Sequence, residues 1–235
     1  MSNLLLIQAI SCSIELYSAQ RNMDLTNPIQ SVIPGAHGAV LGVLAQTDLP
    51  LSGRRVAELT EPKFSQRRVN DVLIQLAEAG VVLRESRPPA NYYRLNHDHV
   101  AAEGIVALAS MWATLLARVR AELENWSLRP EAAWLFGSAA RREARESSDI
   151  DILIVPPAGG LDGDSNSDLW ERQIDDLADK VRIWSGNPCE ILEMDPSAVS
   201  AAVDRDDRLV RDLREQAVVL AGHDAWALLR RRTAR

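Results

Sequence analysis

The sequence LFGSAARREARESSDIDILI occupies residues 135–154 and holds the most informative pattern in the chain. Its first residues end a short apolar run, Ala132 to Phe136, which reads as a buried strand that stops at a Gly-Ser pair. Its last residues lie in a second run, Asp149 to Val155, which is rich in β-branched side chains and ends at two prolines. The pattern predicts two strands joined by a Gly-Ser turn and a polar, charged connection.

Two aspartates open the second of these strands. Because side chains alternate across a strand, Asp149 and Asp151 are predicted to share one face, opposite Ile150, Ile152 and Ile154. Two like charges held close together are unfavourable unless a cation neutralises them, and paired carboxylates with phosphate oxygens suit Mg²⁺. By itself an Asp-x-Asp tripeptide is more often part of a solvated loop. Its place at the head of an apolar strand, where charges are costly, favours a metal site.

The Gly137-Ser138 pair precedes these aspartates, with residues 139–148 between them. At the junction of a strand and a helical segment, a glycine lets the backbone approach a phosphate closely, and free N–H groups attract its negative charge. The Ser138 hydroxyl adds one more donor. A Gly-Ser pair after a strand is usually only a structural turn. Together with the aspartates at this interval, it indicates a phosphate-binding turn.

The combined motif, Leu135 to Arg141 followed by Ser148 to Leu153, resembles the signature of the DNA polymerase β nucleotidyltransferase superfamily and of its minimal branch. The resemblance covers residues 130–195 and implies a small mixed sheet flanked by helices. Ala139 stands where the family often has arginine, and Arg142 where it often has glycine. By position, the resemblance implies that nucleotide is bound by Gly137, Ser138, Arg141 and Ser148, and metal by Asp149 and Asp151.

A third carboxylate is expected on the next predicted strand, Cys189 to Met194. The resemblance places it at Glu190, where aspartate is commoner in the family, and implies that it acts on the attacking hydroxyl. A glutamate can accept a proton or bind a metal ion there. The alternative is a surface or structural glutamate. Glu193 is predicted to point to the opposite face.

The first organised region of the chain is predicted to contain three helices, which begin near Gly38, Gly53 and Ser65. Two β-prone runs follow, Val81 to Arg84 and Tyr92 to Leu95, on either side of a proline-rich turn. Three short helices and a hairpin are typical of a winged helix-turn-helix, and the segment resembles those of bacterial regulators. Such modules bind either DNA or other proteins.

Charge favours the DNA-binding alternative. The net charge of the chain is −7, but residues 51–95 carry eight basic against five acidic residues, a local +3, which leaves about −10 elsewhere. Basic residues near a recognition helix contact bases, and those around a wing contact phosphates. The candidate DNA-binding residues are Lys63, Arg67, Arg68, Arg84, Arg87 and Arg94.

The predicted fold class is α/β (α+β), divided into four segments. These are an N-terminal extension at 1–37, the winged helix-turn-helix at 38–98, one connecting helix at 99–128, and a nucleotidyltransferase domain with C-terminal helices at 129–235. Residues 1–22 are expected to attach loosely. After Met194 the chain is predicted to be mostly helical, with one apolar segment at Ala217 to Leu220.

Few other residues suggest a site. The two cysteines, Cys12 and Cys189, fit no metal-ligand spacing and are interpreted as reduced thiols of a cytoplasmic protein. The apolar patch near the N-terminus is too short and too interrupted for a signal peptide or a membrane span. His97 and His99 lack a second ligand pair nearby and are interpreted as surface or packing residues.

These features predict an enzyme that uses two Mg²⁺ ions to move a nucleoside monophosphate, AMP from ATP, onto an unidentified acceptor. Few residues follow Met194 in this sequence, so the acceptor is expected to be bound by the winged helix, by a second subunit of a homodimer, or by a toxin-like protein partner. The alternative is a transcriptional regulator or antitoxin-like protein whose nucleotidyltransferase fold binds nucleotide without turnover.

Overall fold

The computed structural model describes residues 22–141, 148–157, 159–161, 163–205 and 207–223. Within these ranges the chain forms two sheets with helices packed around each. No single helix of the described segments has both the length and the apolar character needed to cross a membrane. One bent pair, Ala102–Ala109 with Met111–Glu124, meets that test jointly, by length and composition alone.

The N-terminal half begins with a 3-10 helix at Pro28–Ser31 and continues with three helices, α1 (Ala36–Leu44), α2 (Gly53–Leu59) and α3 (Gln66–Glu78). The predicted caps of α3 are present. The hydroxyl of Ser65 accepts a hydrogen bond from the backbone N–H of Arg68 at 3.2 Å, and Gly80 follows the helix at φ +75°.

A three-stranded antiparallel sheet completes this half: β1 (Leu51–Ser52), β2 (Val82–Arg87) and β3 (Ala90–Leu95), in the order β1-β3-β2. The predicted hairpin is thus β2 and β3, while the two-residue β1 was not predicted. The apolar stripe of α3 packs into a core with α1 and the hairpin, whose buried members include Val40, Val69, Leu73 and Leu95.

The helix predicted to connect the two halves is two helices, α4 (Ala102–Ala109) and α5 (Met111–Glu124), bent by 65°. The expectation of one continuous helix is therefore wrong. Ser110, at φ −98° and ψ 8°, interrupts the helical backbone. The break has a packing reason, since Ile105 on α4 belongs to the N-terminal core while Trp112 on α5 belongs to the core beneath the second sheet.

The second sheet has four strands, β4 (Ala132–Phe136), β5 (Ile150–Val155), β6 (Cys189–Glu193) and β7 (Val218–Gly222). Their order is β6-β5-β4-β7, with β5 and β6 parallel and the other neighbours antiparallel. The predicted small mixed sheet is therefore confirmed. The apolar segment in the mostly helical tail is an edge strand, because it pairs with β4, far away in sequence.

Helices cover both faces of this sheet. Helix α5 and the long α7 (Asp164–Ser185) pack on the face that carries Ile150, Ile152 and Ile154. The opposite face, with Trp134 and Leu153, lies under α8 (Pro196–Arg205) and α9 (Arg208–Gln216). Helix α7 begins five residues before the predicted Leu169, since its first turn is polar and lacks an apolar repeat.

Residues ahead of the predicted first helix also pack into the cores. Residues 22–37 were assigned to an extension, yet Met23 and Leu25 are buried in the core of the four-stranded sheet. Ile29 is buried in the N-terminal core instead. The side chain of Asn27 also contacts the backbone carbonyl of Glu61, just before α3. This segment therefore links both cores, whereas residues 1–21 lie outside the described ranges.

Candidate functional site

The predicted metal ligands lie at one end of the four-stranded sheet. Asp151 is the second residue of β5 and pairs with Phe136 of β4 on one side and Glu190 of β6 on the other. Directly paired residues share a face, so Asp151 and Glu190 are neighbours on the face that α8 and α9 cover farther along. Asp149 immediately precedes β5 and is half-buried. The sheet register thus pairs Asp151 with Glu190, and Asp149 lies two residues before Asp151.

The Gly-Ser turn comes close to Asp151. Gly137 has φ +70°, a left-handed conformation that favours glycine, and it begins the one-turn helix α6 (Gly137–Ala140). A Cβ added to Gly137 would lie 2.3 Å from Oδ2 of Asp151. Only glycine therefore lets the turn and the carboxylate adopt these positions together. The neighbouring Ser138 is half-buried in the same turn.

The electrostatics of the site suit a bound cation. Burial raises the pKa of the Asp151 carboxyl, and the negative charges of Glu190 and Asp149 raise it further. Arg141, at the end of α6, partly offsets this rise. Burial also raises the pKa of the Cys189 thiol to about 12, so the cysteine of this strand is a protonated thiol at neutral pH. The site holds more negative charge than its surroundings stabilise.

The residues present can contribute to a metal site but do not complete one. Among the described residues there is no set of three or more His, Cys, Asp or Glu side chains arranged to hold a metal ion. Magnesium commonly takes one or two protein carboxylates and fills its remaining positions with water and substrate phosphate oxygens. Asp149 and Asp151 fit that donor set, since both are acidic, their charges interact, and Asp151 lies against the Gly137 turn.

The other predicted site residues are also near this end of the sheet. Arg141 is exposed, and its guanidinium donates to the side-chain oxygen of Gln216 at 3.5 Å. The backbone carbonyl of Ser148 accepts a hydrogen bond from the Asn187 amide at 3.1 Å. Sequence reasoning singled out neither Gln216 nor Asn187. For Asn187 a signal existed, because it lies in the Gly186-Asn187-Pro188 turn that leads into β6.

Glu193 lies on the opposite face of β6 from Glu190. Its carboxylate accepts a hydrogen bond at 2.5 Å from the indole N–H of Trp170, a buried residue of α7. Glu193 therefore has a structural partner away from Asp151. Glu190, by contrast, is exposed beside the aspartates.

The six candidate DNA-binding residues divide into two groups. Lys63 pairs with Glu61 at 2.7 Å, Arg87 contacts Glu85, and Arg94 lies 3.8 Å from the same carboxylate. The other three residues are exposed and form no ion pair with any residue in the described ranges: Arg67, Arg68 and Arg84. Neighbouring acids therefore neutralise about half of the predicted basic surface.

Three known structures are only weakly similar to this chain. A toxin–antitoxin structure with AMP-PNP is 20% identical (TM-score 0.33), and a mutant of the toxin–antitoxin MntA–HpeT is 18% identical (TM-score 0.32); each match covers 48% of this chain and 80% of the other. The archaeal chromatin protein TrmBL2, described with a novel mode of DNA binding, is 17% identical (TM-score 0.25) over 77% of this chain and 72% of its own. Likenesses at this level carry no inference about function.

Comparison of the sequence with protein families gives a more specific result than comparison with solved structures. A search of curated proteins gives no significant match. Residues 121–190, however, match the model of the family "Polymerase beta, Nucleotidyltransferase". The matched segment runs from the end of α5 through the Gly-Ser turn, both aspartates and α7, and it stops at Glu190. Residues 121–190 therefore match a nucleotidyltransferase domain of the polymerase β type.

Proposed function

We propose that this protein is a Mg²⁺-dependent nucleotidyltransferase that transfers a nucleoside monophosphate, AMP from ATP, to a hydroxyl group of an acceptor. The observation that carries the proposal is the contact between the Gly137 turn and the Asp151 carboxylate, with Asp149 and Glu190 beside it. This arrangement supports the proposal, because a turn suited to phosphate lies next to carboxylates suited to a metal ion. Both are needed to hold a metal-bound triphosphate.

In this proposal Asp149 and Asp151 bind Mg²⁺ together with oxygens of the triphosphate. Two bound ions would activate the acceptor hydroxyl and stabilise charge on the leaving pyrophosphate. The backbone N–H groups of the turn and the Ser138 hydroxyl donate to phosphate oxygens. Arg141 supplies a positive charge close to Asp151 and is suited to contact the same phosphates. Ser148 orients the aspartates through its backbone.

Glu190 is proposed to act on the acceptor. It is exposed on the face of Asp151, and the two residues pair directly across parallel strands. A carboxylate there can accept the proton of an attacking hydroxyl or complete a metal site. Since Glu190 is open to solvent, an acceptor as large as a protein can reach it. A toxin-like protein partner, or a second subunit, therefore belongs to the proposal.

The direct test measures transfer of a labelled α-phosphate from ATP to an acceptor. Purified protein is incubated with α-labelled ATP, Mg²⁺ and cell lysate, beside Asp149→Ala and Asp151→Ala variants. Asp204→Ala is the matched control, because it removes an exposed aspartate of α8. Transfer by the wild type and the control, and by neither site variant, is the expected result. Equal transfer by all four proteins would contradict the catalytic assignment.

A second candidate function is DNA binding through residues 38–98, with the winged helix-turn-helix as its module. Support comes from Arg67 and Arg68, which are exposed at the start of α3 and have no ion partner among the described residues. We also propose residues 38–98 and 129–235 as separate functional units, which residues 99–128 connect. A regulator that binds nucleotide without turnover is the alternative, and it would show DNA retention with no label transfer.

A further inference from the structure

Asn187 is a fully buried polar residue next to the site. It follows α7, and its side chain has no exposed surface. Its amide nitrogen donates to two backbone carbonyls, those of Met23 and Ser148, each at 3.1 Å. Its amide oxygen accepts from the backbone N–H of Met23 at 3.0 Å. Both amide hydrogens are therefore used, and one of them reaches the residue before Asp149.

Asp149 depends on this contact more than Asp151 does. Asp151 lies inside the sheet, paired with Phe136 and Glu190 on its two sides. Asp149 precedes the first residue of β5. On one side of it the Ser148 carbonyl is held by Asn187, and on the other the Ile150 N–H donates to the Pro188 carbonyl at 2.9 Å. The backbone of Asp149 is thus held between two hydrogen bonds from a single turn.

The turn itself is held firmly. The Ser185 hydroxyl donates to the Val181 carbonyl at 2.7 Å and accepts from the Asn187 backbone N–H at 3.1 Å. The Met23 N–H also donates to the Ser185 carbonyl at 3.2 Å. Ser185 and Asn187 are two of the three buried polar residues in the described ranges. Buried polar groups are retained where their hydrogen bonds are satisfied, and here they fix one short segment.

We propose that Asn187 is a positioning residue that fixes the backbone of Asp149, and thereby the separation of the two aspartates that bind metal. This inference rests on the proposed role of Asp149 and Asp151. Without the Asn187 amide, the carbonyls of Ser148 and Met23 lose buried partners, and the segment ahead of β5 loosens. Asp151 keeps its place in the sheet. The loss of Asn187 therefore changes the distance between the Asp149 and Asp151 carboxylates, while both carboxylates remain present.

The test compares Asn187→Ala and the milder Asn187→Ser, whose hydroxyl can still donate once, with Thr60→Ala. Thr60 is the matched control, because it is also fully buried and its hydroxyl donates to a backbone carbonyl, that of Ala57 at 3.0 Å, far from the site. Two quantities are measured at a temperature where every variant is folded by circular dichroism. These are amide hydrogen exchange along residues 148–151 and the Mg²⁺ concentration that half-saturates ATP binding.

Loss of an outer partner of a metal ligand commonly weakens metal binding by about 10- to 100-fold. Asn187 acts one residue away, through the Ser148 carbonyl, so a rise in half-saturating Mg²⁺ of about 10-fold, the lower end of that range, is expected for Asn187→Ala. A smaller rise is expected for Asn187→Ser and none for Thr60→Ala. Exchange at Ile150 should accelerate only in the Asn187 variants. Unchanged Mg²⁺ dependence in Asn187→Ala would overturn the inference alone. Wild-type protein that binds no ATP with Mg²⁺ would instead overturn the proposed function.

Discussion

Replacing Gly137 by alanine tests the contact on which the site depends. The glycine has φ +70°, where a side chain costs roughly 1–2 kcal/mol. Its new Cβ would lie 2.3 Å from Oδ2 of Asp151, whereas ordinary contact begins at 3.4 Å. Since carbon and oxygen atoms resist closer approach, the carboxylate must move by about 1 Å. The displaced group is the end of a side chain, so the change should affect the metal site more than the fold.

A misplacement of about 1 Å in a catalytic group can reduce the rate about 100-fold. We therefore expect the rate of label transfer by Gly137→Ala to fall about 100-fold. Its free energy of unfolding, measured in urea, should fall by only about 1–2 kcal/mol. Gly80→Ala is the control for backbone strain, because Gly80 has φ +75° and its added Cβ would meet its nearest neighbour at an ordinary 3.9 Å. Both variants should lose similar stability, but only Gly137→Ala should lose activity. Equal activities in the two variants would refute the reasoning.

Three further outcomes are expected. Because the folded-state pKa of Asp151 is raised, its charged form opposes folding, and stability falls as pH rises above the ordinary value of 3.8. In metal-free buffer Asp151→Asn should therefore unfold at a higher temperature than wild type at neutral pH, with the difference vanishing as pH falls toward that value; a constant difference would contradict this. Arg141→Ala should raise the KM for ATP roughly tenfold or more, since a hydrogen bond to a charged group is lost, and an unchanged KM would exclude phosphate contact. Leu153→Ala, in the fully buried centre of β5, should lower the free energy of unfolding by about 2–5 kcal/mol in denaturant titration, and a loss below 1 kcal/mol would contradict its burial.

Local patterns in the sequence predicted much of this fold correctly. The Ser65 cap and Gly80 marked the ends of α3, and the proline-rich turn marked the hairpin of β2 and β3. The alternation in Asp149 to Val155 predicted that Ile150, Ile152 and Ile154 share one face, which packs against α5 and α7. Each of these features depends on residues that are close in sequence. The information was therefore present in short segments.

The missed features depend on contacts between distant residues. Leu51 and Ser52 form a strand only because they pair with Tyr93 and Tyr92. The edge strand β7 likewise exists through its pairing with β4. The helix bends at Ser110 because the apolar residues before it pack into the N-terminal core and those after it pack into the core of the four-stranded sheet. Patterns within a short segment cannot predict which distant residues that segment will contact.

In the candidate site too, local features were predictable from the sequence, whereas contacts between distant residues were not. The motif groups Asp149, Asp151 and the Gly137 turn as one candidate site, and the sheet register places Glu190 beside Asp151. The contacts of Asn187 with Met23 and Ser148 join three segments that are far apart in the chain. A buried asparagine in a turn does not reveal such partners by its sequence. The Gly186-Asn187-Pro188 sequence indicates the turn, but only the structure shows which carbonyls Asn187 contacts.

The proposed function requires that Asp149 and Asp151 hold metal beside the Gly137 turn. A crystal grown with Mn²⁺ and a non-hydrolysable ATP analogue would show this, because anomalous scattering locates manganese independently of the protein. We expect an anomalous peak within coordination distance of both aspartate carboxylates, with the triphosphate lying against Gly137 and Ser138. Manganese and nucleotide bound elsewhere, with the two carboxylates turned away from each other, would contradict it.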